Sequence, residues 1–518
     1  MGGNYIKSIY KDYEKAVSEN EELKIKEKIK NDLIKKQERI IKSKDKKIED
    51  LERKIKELEK ANKDLEKEST RLSAILNNDG TNSGIPTSKT PINKNKIIPN
   101  SRNKGNRNKG GQTGHPQKKL KKFEDSEITE EIEHIQEVCP FCGGKGKATE
   151  KTITKDELDY ELVVIKRRHI YKVCKCEKCR KEFHETIATE LKEENQYGSG
   201  VKSLALALMN IGNVSINKTV KMIYGLSKEE ICPSEGYVAK LQKRYAKDLG
   251  DFYEELRKRC ITLGKVYWDD TVIGINTARG CLRFYGDEKT ALYAAHLHKD
   301  KKGLDEDKIL QLLPKTTIVM HDHNKVNYND DYSFRNVECN VHLLRDLQKV
   351  TDILHHEWSS EMKKLLEETN KDRNKAIKQG EESFEDEYVK NFFERYETLV
   401  VKGIAENNDT SEKYYGKEEA ALLNRITDYK DNYFAWVTNF DIPFSNNLSE
   451  RSLRDAKSKM KISGQFQSED TAKYYAIIKS YIETCYRNGI NPVNSLRRLC
   501  NGNPYTVTEI FAPKSDEQ

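Results

Sequence analysis

Apolar residues recur every seven positions through the first part of the chain. Leu51, Leu58, Leu65 and Leu72 form one seam, while Ile48, Ile55 and Leu76 form the other, which Ile34 and Ile41 extend upstream. Glu21 to Leu76 holds neither Pro nor Gly, and Lys and Glu crowd the remaining positions. A narrow stripe of this period predicts a coiled coil, and Asn62 falls at an a position, where a buried polar group fixes register and a dimeric state. A single solvated helix also fits the charge density. The regularity of the stripe favours self-association.

Helical periodicity returns from Tyr197 to Leu256, with Leu204, Ala205, Leu208 and Met209 on one face and a second helix from about Asn217. Pro233-Ser234-Glu235-Gly236 opens a third, with Ser234 as its N-cap. This succession fits a helix-turn-helix and equally a plain helical bundle. At Gly264 the pattern changes to strands: Val266 to Gly274, Cys281 to Tyr285 and Ala291 to Leu297 read as an antiparallel meander. A helix follows around Leu304 to Leu313. Thr317 to Met320 is a fourth strand, ending at His321-Asp322-His323. Leu343 to Phe440 is charged and helical, and its charge runs read as solvated faces.

Length and charge refine this picture. At 518 residues the chain exceeds one core, so two to four domains are expected. Charged residues make up 34% and mean hydropathy is −0.87, which suggests that part of the chain is extended. The net charge of +8 is modest, so its distribution matters more than its sum. Residues 80–122 carry eleven Lys or Arg and no Asp or Glu among many Asn, Gly, Ser and Pro, as in a flexible basic linker that binds phosphates non-specifically. Without a signal-peptide core or a long apolar run, the chain is expected in the cytoplasm and not in a membrane. There the 11 cysteines read as metal ligands or buried thiols. Cys139-Pro-Phe-Cys142-Gly-Gly and Cys176-Glu-Lys-Cys179 flank a β-rich stretch, Tyr160 to Val173, with the spacing of a zinc ribbon. Four thiolates would close a structural Zn²⁺ site, with Cys174 a competitor for Cys176.

Asp269 and Asp322 end up near the ends of two separate strands, where open α/β sheets place ligands. One such Asp is an ordinary turn residue or cap, but two from separate strands suit a hard cation needing several oxygens. A third carboxylate is offered by Ser445-Asn446-Asn447-Leu448-Ser449-Glu450-Arg451-Ser452-Leu453-Arg454. Asn446, Glu450 and Arg454 line one helical face there. An N-cap followed by a surface Glu-Arg pair would produce the same local pattern.

Together, Asp269-Asp270-Thr271, Asp322 and Asn446-Asn447-xx-Glu450-Arg451-xx-Arg454 resemble the insertion sequence 66 family of DDE transposases. The likeness continues through Lys459-Met-Lys461-Ile462-Ser463-Gly464-Gln465-Phe466 and Asn488-Gly489-Ile490-Asn491. Upstream it takes in Gly110-Gly111-Gln112-xx-Gly114-His115 and the CPxCGG knuckle, so it spans roughly residues 30 to 500. The resemblance implies an α/β multidomain protein with a ribonuclease H-like catalytic core. Asp269, Asp322 and Glu450 would be the catalytic triad, holding two Mg²⁺ (or Mn²⁺) ions. Asp270 stands where the family commonly has Glu; strand alternation lets only one of the pair face the metals, and Asp269 is the expected ligand.

Cys339-Asn340-Val341-His342-xx-Arg345 resembles the family's Cys-xx-His segment. His342 and Arg345 are expected to contact DNA phosphates, together with Asn446, Arg451, Arg454, Lys459 and Lys461. A Cys-xx-His pair can also be half of a metal site, but no second half is apparent in the sequence.

The expected order is a coiled-coil helix at 1–78, the basic linker at 79–125, the zinc ribbon at 126–192 and a helical DNA-binding unit at 193–260. The core follows at 261–342, then a helical insertion at 343–440, the Glu helix and C-terminal helices at 441–500, and a tail at 501–518. The implied activity is metal-dependent hydrolysis and strand transfer during DNA transposition, in a nucleoid-associated protein. Its expected partners are element ends, target DNA, further copies of the chain and small accessory proteins of the same element. A silent DNA-binding derivative, or a nuclease that cuts without joining, would share most of these features.

Overall fold

The computed structural model describes residues 3–77, 122–149, 152–160, 162–187, 191 and 193–512. Most of the basic linker and the last six residues of the tail lie outside these. The chain divides into two units, Met1–Asn95 with Glu412–Tyr415, and Lys96–Ser411 with Gly416–Gln518.

Helix α1 (Gly3–Asn77) is one continuous run of 75 residues, within the expected span of 1–78. Its heptad stripe is uncovered in the single chain, from 41% exposed at Ile34 to 69% at Leu58. Pairs such as Lys15–Glu19 and Lys26–Glu22 are solvated and add little stability. Among the described residues no helix is long and apolar enough to cross a membrane.

Strands β1 (Cys174–Lys175) and β2 (Glu182–Phe183) pair antiparallel around the second Cys knuckle. The expected β-rich stretch between Tyr160 and Val173 forms no strand among its described residues. Val163, Ile165, Ile170 and Val173 are exposed, so the chain buries nothing there that would hold strands together.

Four helices follow: α2 (Ser199–Asn210), α3 (Ile216–Leu226), α4 (Glu235–Asp248) and α5 (Gly250–Ile261). The Ser234 hydroxyl accepts from the Tyr237 amide, the N-cap that the sequence predicts. Next come β3 (Lys265–Ile275), β4 (Ala278–Gly286), β5 (Ala291–His296), α6 (Lys301–Glu306), β6 (Ile318–His321) and β7 (Arg335–Glu338). The helix expected from Leu304 to Leu313 is therefore the short α6 followed by a 3-10 turn at Leu310–Leu312. These strands form one sheet of order β5-β4-β3-β6-β7, in which β4 alone runs against the others.

Beyond the sheet lie α7 (Asn340–Leu354), α8 (Glu357–Lys378), α9 (Asp386–Asn408), α10 (Lys413–Asp428) and α11 (Lys430–Thr438). They are followed by α12 (Asn447–Ser463), α13 (Glu469–Arg487), α14 (Pro492–Cys500) and α15 (Val507–Phe511).

Both faces of the sheet are covered, so its strands are apolar on both sides. Tyr267, Ile273, Leu282, Phe284, Tyr293 and Met320 face a core built with α7, α8, α9, α11 and α12. Val266, Trp268, Tyr285, Leu292 and Ala294 face a second core with α2, α4, α5, α13 and α14. The helices at 193–260 thus share a core with the sheet and the C-terminal helices. The insertion is likewise structural, and its charges are not all solvated. Glu419 is fully buried, accepting from Trp358 Nε1, the His356 ring and Asn407 Nδ2. Arg373 is buried against the carbonyls of Phe440 and Ile442.

Helix α13 also seals the sheet edge. Ser480 Oγ accepts from the Tyr293 amide at 2.8 Å, and Thr484 Oγ1 accepts from the Ala291 amide while donating to its carbonyl. Two residues one helical turn apart thereby satisfy backbone groups that an edge strand would leave open. Thr484→Val keeps the shape and removes both bonds, so it should cost about 1–3 kcal/mol of unfolding free energy. Urea denaturation measures this, and an unchanged midpoint would show that the edge is held by something else.

Candidate active site

Strand register explains why the two Asp residues are neighbours. Tyr267 of β3 pairs with Met320 of the parallel β6, and Asp269 and Asp322 each follow two residues later. They therefore leave the sheet side by side on the face that carries Tyr267 and Met320. Asp270 points the other way and meets Lys299 Nζ at 2.8 Å. Alternation thus separates the adjacent pair, with Asp269 on the side of Asp322.

Glu450 arrives on α12, and two contacts fix the start of that helix. The Asn446 amide side chain donates to the Trp268 carbonyl at 2.9 Å, and its backbone N–H points at Cys339 Sγ, 3.2 Å away. Asn446 does not cap α12 through its side chain. One turn on, Glu450 Oε1 lies 3.3 Å from Arg345 Nη2 and 3.9 Å from His342 Nε2. On the other edge of the same ring, His342 Nδ1 lies 2.9 Å from Asp322 Oδ1. His342 bridges two carboxylates that are 128 positions apart in the chain.

The electrostatics are those of crowded carboxylates. Burial, then the charges of Asp322 and Asp270, push the Asp269 carboxyl up to about 8. Burial works against a charge on His342, but Asp322 and Cys339 beside it outweigh that and raise the imidazolium to about 10. Among the described residues, Asp322, Cys339, His342 and Glu450 form a group whose ligand atoms all lie within 4.8 Å of one another. Asp269 stands beside this group, coupled to it through the Asp322 charge. Cys339 is the member that sequence reasoning left as half a site. The other half comes from a loop and a helix far away in sequence.

The cysteines expected in a zinc ribbon are arranged as two separate knuckles. The Cys139 amide donates to the Gly144 carbonyl, and the Cys176 amide to Lys181. The amides of Phe141 and Cys142 lower the Cys139 thiol below its ordinary range, and those of Cys179 and Lys178 contribute likewise to Cys176. Cys139, Cys142, Cys176 and Cys179 are not gathered into one group as Asp322 and its neighbours are.

Of the residues expected on DNA, Arg451, Arg454 and Lys461 are exposed along α12. Asn446 is not available: it is fully buried and spent on Trp268. Lys459 is buried too, its ammonium donating to the Met209 carbonyl at the end of α2. His342 and Arg345 are partly buried and engaged with the site carboxylates. The i, i+4, i+8 pattern does not reveal which face of α12 packs inward. Ser449, Leu453 and Ala456 do, and they carry Asn446 and Lys459 with them.

Burial, and then the charge of Lys479, lower the Lys459 ammonium to about 8 from an ordinary 10.5. Because the folded value is depressed, the stability linked to this group is complete above the unfolded value and lost as pH falls through about 8. Lys459→Met should therefore be more stable than the parent below that pH, with the advantage shrinking towards pH 10.5. Paired denaturation curves across this range test it, and a pH-independent difference would refute the assignment.

Residues 220–474, from α3 through the sheet and the inserted helices into α13, match the family model described as Transposase IS66 family. A comparison with curated proteins found no match. The matched segment contains Asp269, Asp322, Cys339, His342 and Glu450, and over it the chain is similar to the transposase IS66 family.

Proposed function

We propose that this chain binds the ends of a mobile DNA element and carries out phosphodiester hydrolysis and strand transfer at Asp269, Asp322 and Glu450. The observation that carries the reading is the meeting of Glu450 with Asp322 across His342, beside Asp269, within the family segment. A sheet of order 3-2-1-4-5 with its second strand reversed supports a ribonuclease H-like core.

The donors fit hard divalent cations. Three carboxylates offer oxygens, and Asp269 is held towards its neutral form by burial and its neighbours' charge. Asp269, Asp322 and Glu450 would hold two Mg²⁺ or Mn²⁺ ions, which when bound activate the attacking hydroxyl and stabilise the leaving oxygen. The protein's own part is to set the carboxylates on a rigid sheet and to bring phosphate to them. Arg451, Arg454 and Lys461 suit the second task, since backbone contacts position DNA without reading sequence. The knuckles of Cys139, Cys142, Cys176 and Cys179 are suited to structural Zn²⁺.

Full-length protein incubated with the element's terminal DNA and Mg²⁺ should yield cut and joined products. Asp322→Asn should lower both by about 10²–10³-fold, the usual cost of losing one charge stabiliser. Equal cleavage by the two proteins would exclude the site, and cutting without joining would leave a nuclease. Synapsis of two ends needs at least a dimer, for which the α1 stripe is the proposed seam. Sedimentation should find a dimer or larger species that Leu58→Glu with Leu65→Glu reduces to monomer. If the double variant kept the parent's mass, the seam would lie elsewhere.

A further inference from the structure

Cys339 has no part in a site made only of carboxylates, yet it sits at the centre of this one. It is the residue before α7, fully buried, and its sulfur faces the first backbone N–H of the α12 start. His342, three residues on, stands one helical turn along the same face. Asp322 comes from the end of β6 and Glu450 from the first turn of α12.

The donor atoms of all four lie within 4.8 Å of one another. Asp322 Oδ1 and His342 Nδ1 are 2.9 Å apart and form an ion pair inside the group. Arg345 Nη2 touches both His342 Nε2 and Glu450 Oε1. Tetrahedral Zn²⁺ bonds of about 2.0–2.3 Å set donor separations of roughly 3.3–3.8 Å, so the group needs to shift by no more than about 1 Å to close on an ion.

We propose that Cys339, His342, Asp322 and Glu450 form a four-donor site for a zinc-class divalent cation, distinct in chemistry from the carboxylate site that shares Asp322 and Glu450. One sulfur and one imidazole favour a borderline-soft ion over Mg²⁺. Four protein donors leave it no open position, as in structural rather than catalytic zinc. Occupancy takes two carboxylates away from the hydrolytic site, so a zinc-class ion switches that site off. This regulatory consequence rests on the proposed function; the donor set itself does not.

Co²⁺ is the probe, because a thiolate ligand gives a near-ultraviolet charge-transfer band and tetrahedral geometry gives strong visible bands. Metal-free full-length wild type is titrated beside Cys339→Ser and His342→Gln, and difference spectra remove the contribution of the two knuckles. Wild type should show an additional tetrahedral, thiolate-bound Co²⁺. His342→Gln should bind that ion at least about tenfold more weakly, the lower end of what even outer-shell losses cost. His342 is partly exposed, so its variant keeps the test valid if Cys339→Ser fails to fold. Spectra of both variants superimposable on wild type would overturn the proposal. If the Co²⁺ difference appeared while Asp322→Asn still cleaved DNA, the proposed function would fall and this site would stand. The reverse pattern would remove this site and leave the function.

Discussion

The site depends on one tie between distant parts of the chain, the Asn446 side chain donating to the Trp268 carbonyl across 178 positions. Trp268 immediately precedes Asp269, so the bond sets the α12 start directly against the strand that carries the first carboxylate. The backbone N–H of the same Asn446 faces Cys339, next to His342, and links the helix to the far edge of the site. An amide buried without such partners would be costly, which makes the pairing specific as well as stabilising. Phe466 extends the hold at the other end of α12, pairing with Ile275. A Cβ on Gly274 would meet Gln465 Cβ at 3.0 Å and the Gly464 carbonyl at 3.2 Å, so the two segments pass in tight contact there.

The surrounding helices make that tie durable. Because helices cover both faces of the sheet, the carboxylates emerge from a wall that cannot shift without repacking two cores. The insertion provides half of the buried residues of one of them. Trp358 and Trp436 are fully buried, and Gly403 lets α9 approach the Trp358 ring. On the opposite face Arg283, fully buried, bonds to Asp307 and to the carbonyls of Gly303 and His298, while Tyr285 donates to the same carboxylate. Such a network tolerates no missing partner, and it locks α6 onto the sheet just before β6 delivers Asp322.

Several features were legible in the sequence because they are local. The heptad stripe, the Ser234 cap, the three-strand meander and the strand ending at Asp322 each follow from the spacing of neighbouring residues. The motif around Glu450 stood out because Asn446, Glu450 and Arg454 share one helical face and match the family pattern, although an N-cap and a surface pair would look the same locally. Alternation permits only one of Asp269 and Asp270 to face a given side, but which side Asp322 shares is set by the pairing of β3 with β6.

Other features were decided in three dimensions. Whether Asn446 and Lys459 meet DNA or the core depends on which side of α12 lies on the sheet, and a face of three residues does not encode that by itself. The second half of the Cys339–His342 pair is invisible in sequence, since Asp322 and Glu450 reach it from a strand end and a separate helix. The buried Glu419 and Arg373 look like solvated charges until their partners, dozens of residues away, are seen. For the carboxylates, the sequence by itself determined which residue types were present and on which elements. Their common environment, with its crowding, its shifted protonation and its thiol neighbour, exists only once parallel β3 and β6 are paired and α12 is pinned across them. Electrostatic coupling falls with distance and burial, and tertiary structure alone sets both.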